Sequence, residues 1–426
     1  MGLTHHQEVR IRRRAMTRRS FLHYVSAGTI AAGTLNLRDL ISLQAAELRK
    51  QGRSMILLWM AGGPSQLETF DPKPESSNGG STEAIQTSVS GIQIANGWER
   101  TANMMNDIAL IRSMTNREGS HPRATYQMHT GYIPSGSVKH PSLAACIAKE
   151  IADPKFDLPA VVSVGRTQGA GFLGVDYEPF VVNRPGQLPQ NMENVVNTSR
   201  YQQRLNLLDR LEEDFSSRGG KIVVNNHRKL YGKTSRLVLS PNVKAFELEE
   251  ESQELREQYG NSNFGRGCLL ARRLVEAGVT FVEVRSGGWD THQDNFERTT
   301  TLASQVDPAM ATLIADLKDR GFLDRTLVVW IGEFGRTPRI NPRTGRDHYP
   351  RVFNAAMAGG GVKGGQVIGA STNDGTAVAK DPVSINDIFC SICKSLNVDP
   401  RVENISPLGR PMKIVDGGNV IPNLFG

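Results

Sequence analysis

Short apolar runs rich in β-branched residues recur along the chain and predict a set of buried strands. The two clearest runs are residues 280–284 and 326–331, and similar runs occupy residues 53–60, 108–114, 158–164, 353–357 and 366–369. Continuous apolar runs of this length, without polar alternation, are typical of strands buried on both faces of a parallel sheet.

Segments with helical spacing of apolar residues lie between these runs. They cover residues 141–151, 264–278, 296–320 and 384–396, and Gly278 and Gly321 are placed to end two of them. Strands that alternate with helices favour right-handed βαβ units, so the pattern predicts an α/β fold with a mostly parallel sheet.

The composition changes between residues 194 and 260, where the chain is mostly polar. Apolar residues recur with helical spacing in residues 201–215 and 244–259. We interpret residues 194–260 as a helical insertion or lid on a single domain that spans residues 47–426. Segments 76–95 and 165–190 are predicted as loops, and the Pro- and Gly-rich tail from residue 404 as surface structure.

The charge of the chain is concentrated at its start. The net charge is +7 over 426 residues, yet residues 1–23 alone hold six Arg and one Glu. The remainder is nearly neutral, so no nucleic-acid partner is indicated.

Arg18 and Arg19 lie in a Thr-Arg-Arg-Ser-Phe-Leu motif, and a mildly apolar run follows at residues 25–37. This order is typical of a twin-arginine export signal, and the run is too short to span a bilayer. We expect residues 1–46 to engage the twin-arginine export machinery. The protein would then be periplasmic or secreted, with no transmembrane segment.

Potential metal ligands follow the two clearest strands. Asp290 and His292 come after the first strand, Glu333 comes after the second, which we expect to be its neighbour in the sheet, and Asp347 and His348 lie on a later loop. Sites in open α/β sheets form beyond the carboxyl ends of strands, and carboxylates with imidazoles suit a divalent cation. Zn, Mn, Ca and Mg all remain open, and an ion-pair network over the strand ends is the alternative.

A second group of residues could attack and bind an anionic ester. Ser120 and Arg123 precede a helix-like segment, where a nucleophile and developing negative charge would be favoured. Arg336 could hold the anion as well. The alternative for Ser120 and Arg123 is a capped helix with a solvated Arg. The Gly-Gly-Pro-Ser turn after the first strand could also hold an anion through Ser65, and the alternative there is that Ser65 is a simple N-cap.

Four cysteines are present, and Cys390 and Cys393 form a C-x-x-C pair within a predicted helix. A structural zinc would need a second pair, which the sequence lacks. Two buried small residues on one helix face are favoured over a redox role.

Four motifs together resemble an exported bacterial family named domain of unknown function 1501. They are GGPSQLETFDPKP, GGWDTH, GEFGRTPRI and GRDHYP, and the resemblance covers most of residues 50–400. The family is grouped with the alkaline phosphatase and sulfatase superfamily. The resemblance therefore implies a three-layer α/β/α sandwich and a hydrolytic site with one or two metals.

Carried over by residue, the resemblance implies that Ser120 is at the nucleophile position and that Asp290 and His292 form a metal pair. His348 resembles a late metal-binding His, and Glu333 stands where the superfamily has Asp. The superfamily's first strand ends in a metal-binding Asp, for which only Glu68 or Asp71 could compensate here.

These residues favour an exported, metal-dependent hydrolase of sulfate or phosphate esters that acts on a small-molecule or glycan ester. The alternative is a non-catalytic periplasmic binding or scaffold protein on a degenerate sulfatase-like fold. No dinucleotide fingerprint supports an oxidoreductase.

Overall fold

The computed structural model describes residues 52–188 and 198–426. The predicted export signal, with Arg18 and Arg19, lies outside the described residues. No helix within the described ranges has the length and apolar character needed to cross a membrane.

The strands of the described residues are β1 (Ser54–Met60), β2 (Ala84–Gln86), β3 (Gln93–Ala95), β4 (Ile108–Thr115), β5 (Val161–Val164), β6 (Phe180–Val182), β7 (Phe281–Ser286), β8 (Thr326–Ile331), β9 (Gly335–Arg336), β10 (His348–Tyr349), β11 (Phe353–Ala358), β12 (Gln366–Ile368), β13 (Ala370–Ser371), β14 (Val378–Lys380), β15 (Val383–Ser384), β16 (Glu403–Ile405) and β17 (Pro411–Lys413). The α-helices are α1 (Glu99–Asn103), α2 (His121–Thr130), α3 (Leu143–Ile151), α4 (Thr198–Phe215), α5 (Lys221–Leu239), α6 (Gln253–Tyr259), α7 (Asn263–Glu276), α8 (Asn295–Asp319) and α9 (Ile385–Ser395).

A central sheet organises the described part of the chain. Its nine described strands run in the order β12, β4, β11, β8, β1, β7, β5, β6, and β15 also pairs with β4. All pairs are parallel except those that β11 makes with β4 and β8. The predicted α/β class with a mostly parallel sheet is confirmed.

The strands that deliver the predicted ligands, β7 and β8, are not adjacent. β1 lies between them and pairs in parallel with both, from Met55 opposite Phe281 and Ser54 opposite Thr326. The expectation that β7 and β8 are direct neighbours is therefore wrong. A crossover through α8 leaves room for a strand in between, and sequence spacing does not reveal that gap.

Both faces of the sheet are covered. Along β1, Ile56 and Leu58 pack into one buried cluster with α7 and α8, while Leu57 and Trp59 pack into another with α3 and α9. Alternate strand residues point to opposite faces, so the fully apolar sequence of β1 follows from burial on both sides. The result is the predicted three-layer arrangement.

Side-chain caps fix the starts of the flanking helices. The Ser262 hydroxyl accepts from Gly265 N at the start of α7, and Ser384 with Asp387 forms a capping box at the start of α9. Cys390 and Cys393 lie on α9. Both are buried free thiols, which agrees with the expected packing role.

Three segments differ from their predicted form. Segment 76–95 contains the β2–β3 hairpin, and segment 165–190 contains the edge strand β6. Residues 244–259 are divided among 3₁₀ turns, Pro241–Phe246 and Leu248–Glu250, and the short helix α6. Short strands and single turns have too few residues for a periodic pattern, and tertiary pairing decides them.

The helical character of residues 194–260 is seen in α4, α5 and α6, of which α5 was not separately predicted. In the tail, Ile414, Val415 and Leu424 are buried, so the tail forms part of the core and is not only surface structure.

Candidate metal centre

The predicted ligands meet where β1, β7 and β8 end. Gly62 follows β1, Asp290 follows β7 and Glu333 follows β8. A Cβ atom added to Gly62, whose φ is +119°, would lie 2.4 Å from Asp290 N. Glycine at this position therefore allows the β1 turn to approach the Asp290 backbone and close the site.

His121, the first residue of α2, enters this site and was not predicted as a site residue. Its Nδ1 lies 2.6 Å from Glu333 Oε1. The Gly62 N–H donates to both Glu333 oxygens, at 3.0 and 3.2 Å, and so fixes the carboxylate. Glu333 is thus occupied in holding the imidazole of His121.

Two further imidazoles are held in the same manner. His348 Nδ1 lies 2.8 Å from the carbonyl oxygen of Gly119, and His292 Nδ1 lies 2.8 Å from Asp347 Oδ1. Carbonyl and carboxylate oxygens only accept, so each Nδ1 is the donor. In a neutral ring the lone pair then resides on Nε2, which is the arrangement found at metal-binding histidines.

The three Nε2 atoms surround one carboxylate oxygen. Asp290 Oδ1 lies 3.3 Å from His121 Nε2, 3.2 Å from His292 Nε2 and 3.3 Å from His348 Nε2. The ligand atoms of His121, Asp290 and His348 all lie within 4.8 Å of one another. His292 Nε2 is 3.0 Å from His348 Nε2.

This donor set fits a divalent transition metal. His121 Nε2 is buried without a hydrogen-bond partner, and two Nε2 lone pairs facing each other at 3.0 Å repel unless a cation or proton lies between them. In a tetrahedral zinc site, bonds of about 2.0–2.1 Å place neighbouring ligand atoms about 3.3 Å apart. The observed spacings are close to this value.

The guanidinium of Arg336 is built into the same site. It is completely buried, donates to the carbonyl oxygens of Gly62, Gly63 and Arg346, and binds Asp290 Oδ1 through Nη2 at 2.6 Å. With its N–H groups engaged in this way, Arg336 positions Asp290 and does not face a substrate anion. A metal would share Asp290 with this cation.

The electrostatics of the cluster follow from these contacts. Partial burial raises the pKa of Asp290, but the hydrogen bond and charge of Arg336, aided by His121, hold it well below its usual range. Burial lowers the pKa of His121. The hydrogen bond and charge of Glu333, together with the charge of Asp290, outweigh burial, so the pKa of His121 is raised overall. Burial lowers the pKa of His348, which keeps its Nε2 lone pair free at neutral pH.

Ser120 and Arg123 lie at the start of α2. Ser120 is the exposed N-cap residue, and its side chain makes no capping hydrogen bond, so its hydroxyl is not used by the helix. Arg123 is exposed and binds Glu118 through Nε at 2.9 Å and Nη2 at 2.8 Å. Only Ser120 is thus free to act beside His121.

Asp71 and Asp347, two other predicted ligands, contact different groups. Asp71 is buried and pairs with Lys73 at 2.9 Å and Arg112 at 3.6 Å, away from the converging imidazoles. Asp347 Oδ1 accepts from His292 Nδ1, so it orients an imidazole as Glu333 does. Ser65, in turn, accepts from Leu67 N at 3.4 Å and supports its own turn.

The fold and the site define an α/β protein with a histidine-rich centre at the carboxyl edge of a mostly parallel sheet. The chain belongs to the family described as Protein of unknown function (DUF1501), whose model matches residues 52–425. The resemblance drawn from the four sequence motifs is thereby confirmed. The comparison with curated proteins found no match.

Solved structures similar to the chain include a sulfatase, PsFucS1 from Pseudoalteromonas sp., at 13% identity and a TM-score of 0.36, covering 85% of this chain and 72% of that one. Another is Ps i-CgsB in complex with k-i-k-neocarrahexaose, at 11% identity and a TM-score of 0.39, covering 82% of this chain and 72% of that one. A third is a protein in the alkaline phosphatase superfamily from Vibrio parahaemolyticus, at 11% identity and a TM-score of 0.34, covering 86% of this chain and 76% of that one.

Proposed function

We propose that this chain is a metal-dependent hydrolase of sulfate or phosphate esters. The observation that carries the proposal is the convergence of three imidazole Nε2 atoms on Asp290 Oδ1, with each Nδ1 held by a separate acceptor. Such a donor set suits zinc or manganese better than calcium or magnesium, which prefer oxygen ligands.

When bound, the metal would polarise an ester oxygen and lower the pKa of a hydroxyl or water. His121, His292, His348 and Asp290 would hold it. Glu333 and Asp347 would orient two of the imidazoles, and Arg336 would fix Asp290. The exposed hydroxyl of Ser120, next to His121 at the start of α2, is the candidate nucleophile.

The substrate would be a small-molecule or glycan ester. The site is open on the side of α2 and of the loop after β7, because Ser120 and Arg123 are exposed and His292 is only partly buried. An open site accommodates an ester group carried on a larger molecule.

Metal analysis followed by an ester screen tests this proposal. The full chain is purified, its metal content is measured by mass spectrometry, and aryl sulfates and aryl phosphates are assayed with and without added Zn²⁺ or Mn²⁺. About one equivalent of metal and metal-dependent turnover are expected. Metal uptake without turnover of either ester class would contradict the hydrolase assignment.

A non-catalytic binding protein is the second candidate, and the pair of Arg336 with Asp290 favours it. The carboxylate that a metal requires is already neutralised by a guanidinium at 2.6 Å. If the network needs no metal, the purified chain holds none after soaking in Zn²⁺, and sulfated or phosphorylated glycans bind without being consumed.

We also propose export through the twin-arginine pathway, on the sequence motif around Arg18 and Arg19. Residues 1–46 fused to a reporter that is active only after folded export test it. Export is expected for the natural segment and loss of export for the Arg18→Lys, Arg19→Lys pair, with Arg10→Lys as control.

A further inference from the structure

A carboxylate is buried in the middle of β7, a strand inside the sheet between β1 and β5. It belongs to Glu283, which is 2% exposed and lies between the buried apolar residues Val282 and Val284. Burial of a carboxylate is costly unless hydrogen bonds replace those of water. Thr167 Oγ1 donates to Glu283 Oε2 at 2.6 Å, and His129 Nε2 lies 3.3 Å from Oε1. The proposed metal centre uses neither Glu283 nor His129.

The imidazole of His129 faces an acceptor with each of its two nitrogens. Nδ1 lies 2.8 Å from the carbonyl oxygen of Thr125, and Nε2 faces the Glu283 carboxylate. Both oxygens only accept when Glu283 is ionised, so both nitrogens then carry protons and the ring is an imidazolium. Burial lowers the pKa of His129, but the charge and hydrogen bond of Glu283 have the larger effect and raise the pKa overall. A buried ion pair therefore joins α2 to β7.

Helix α2 is joined to the sheet near both of its ends by the same kind of contact. At its first residue, His121 Nδ1 lies 2.6 Å from Oε1 of Glu333, which follows β8. Near its end, His129 contacts Glu283 of β7. The two imidazoles are eight residues apart, which is about 12 Å along the helix axis. Two contacts this far apart fix the tilt of the helix as well as its position.

Apolar packing contributes little to the position of α2. Two apolar side chains of the helix are buried, those of Ala124 and Met128. The ring of His129 adds a contact with the indole of Trp59 in β1, edge to face, with centroids 4.5 Å apart. A helix with so small an apolar face depends on specific polar contacts for its orientation.

We propose that Glu283 and His129 are positioning residues, which set where α2 presents Ser120 and His121. This inference rests on the proposed function, in which His121 is a metal ligand and Ser120 is the candidate nucleophile. Because a short helix moves as a unit, a change of tilt at His129 also displaces His121. Ligands must stay within about 0.5 Å of their productive positions, so the far end of α2 controls the metal centre.

Two replacements of Glu283 separate loss of the contact from loss of the charge. In Glu283→Gln, the side-chain N–H can donate to the lone pair of a neutral His129 while the side-chain oxygen still accepts from Thr167. The contact between α2 and β7 is then kept without the charge. In Glu283→Leu, both hydrogen bonds are lost. Thr167→Val, which removes one of them, is the milder variant should Glu283→Leu fail to fold.

The matched control is Val282→Ala, on the same strand. Val282 packs into the buried cluster on the opposite face of the sheet, so this change weakens β7 and leaves the contact with His129 intact. Any effect that comes from general destabilisation of β7 appears in Val282→Ala as well. An effect through α2 appears in Glu283→Leu and is reversed in Glu283→Gln.

Hydrogen exchange of the metal-free full chain, measured by mass spectrometry, is the first experiment. Exchange in residues 121–130 is expected to be faster in Glu283→Leu, and less so in Thr167→Val, because α2 is released from β7 at one end. Glu283→Gln and Val282→Ala should leave the exchange of α2 at its natural rate. Natural exchange of α2 in Glu283→Leu, or equally fast exchange in Val282→Ala, overturns the proposal.

Co²⁺ binding then reports the position of His121, because the visible absorption of bound Co²⁺ depends on the geometry of its ligands. Glu283→Leu is expected to change the spectrum and to weaken Co²⁺ binding by about tenfold, and Glu283→Gln to restore both. A natural spectrum and affinity in Glu283→Leu overturn the positioning role. If the natural chain takes up no Co²⁺, the proposed metal centre fails, while faster exchange of α2 in Glu283→Leu still supports the anchoring of the helix by Glu283.

Discussion

His121 Nδ1 lies 2.6 Å from Glu333 Oε1, although the two residues are 212 positions apart in the chain. The contact joins the start of α2 to the end of β8. It aims the buried, unpartnered Nε2 of His121 at Asp290 and leaves Glu333 as an orienting group beside the cluster. In the proposed metal centre, Glu333 would therefore act as a carboxylate that orients a histidine ligand.

Replacing Glu333 by Gln is expected to weaken metal binding without abolishing it. Loss of an orienting carboxylate typically lowers metal affinity by about 10–100-fold, because the imidazole is less basic and less fixed. Competitive titration with a chelating dye measures the Kd. Glu83→Gln, at an exposed site, is the control, and a complete loss of metal would make Glu333 a direct ligand instead.

Replacing His121 by Ala or Asp290 by Asn is expected to remove a proposed metal ligand. Metal affinity should then fall by more than about 100-fold, which is the largest loss typical of removing an orienting residue. Metal content after dialysis, read by mass spectrometry, checks this. The control variant His227→Ala, on α5 and outside the cluster, should retain the metal content of the natural chain. Equal retention in all three variants would contradict the proposed centre.

Replacing Arg336 by Met is expected to lower the free energy of unfolding by about 3–5 kcal/mol. The change leaves Asp290 without its cation and the carbonyl oxygens of Gly62, Gly63 and Arg346 without their donor. Urea denaturation measures the loss. The exposed Arg339→Met variant should stay within about 0.5 kcal/mol of the natural chain, and a similarly small effect for Arg336 would exclude its buried anchoring role.

Two buried histidines should give opposite pH dependences of stability. Burial lowers the pKa of His129, but the charge and hydrogen bond of Glu283 outweigh burial and raise the pKa overall. The folded chain therefore holds the second imidazole proton of His129 more tightly than the unfolded chain does. The stabilisation by His129 is full below its unfolded pKa of about 6.5 and is lost as pH rises through the folded value. Burial lowers the pKa of His140, whose contribution is present above about 6.5 and lost as pH falls through the folded value.

Urea denaturation of His129→Gln and His140→Gln across the pH range checks both signs. The destabilisation caused by His129→Gln should be larger near pH 6 than near pH 9, and that caused by His140→Gln larger near pH 8 than near pH 5. Parallel pH profiles for the two variants would show that Glu283 does not hold a proton on His129.

Replacing Ser120 by Ala is expected to lower kcat/KM for ester hydrolysis by about 100-fold or more, with metal content unchanged, because the attacking hydroxyl is lost. Steady-state kinetics on the ester that turns over best measures the effect. Ser135→Ala, at another exposed serine, is the control. An unchanged rate would mean that water, and not Ser120, attacks.

The sequence by itself determined the central strands of the sheet, but not their order, and part of the site. The apolar runs of β1, β7 and β8 predicted buried parallel strands because only such strands are apolar on both faces. Asp290, His292 and His348 were predicted because they follow strand ends or a nearby loop, and the structure brings them together. These features are local or periodic, and so a sequence displays them.

Tertiary structure alone decided the partners and the roles. His121 stands beside Ser120 in the sequence, and its place before a proline at a helix start was the only signal that could have pointed to it. Asp71 carries the same carboxylate as Asp290, yet burial beside Lys73 and Arg112 removes it from the cluster.

An arginine can bind an anion from solvent or be held in place by the protein, and the backbone carbonyls around it decide which, as they do for Arg336. Those carbonyls come from the end of β1 and the loop before β10, which are far apart in sequence. Residue type sets what a side chain can bind, and only the packing of distant segments sets what it does bind.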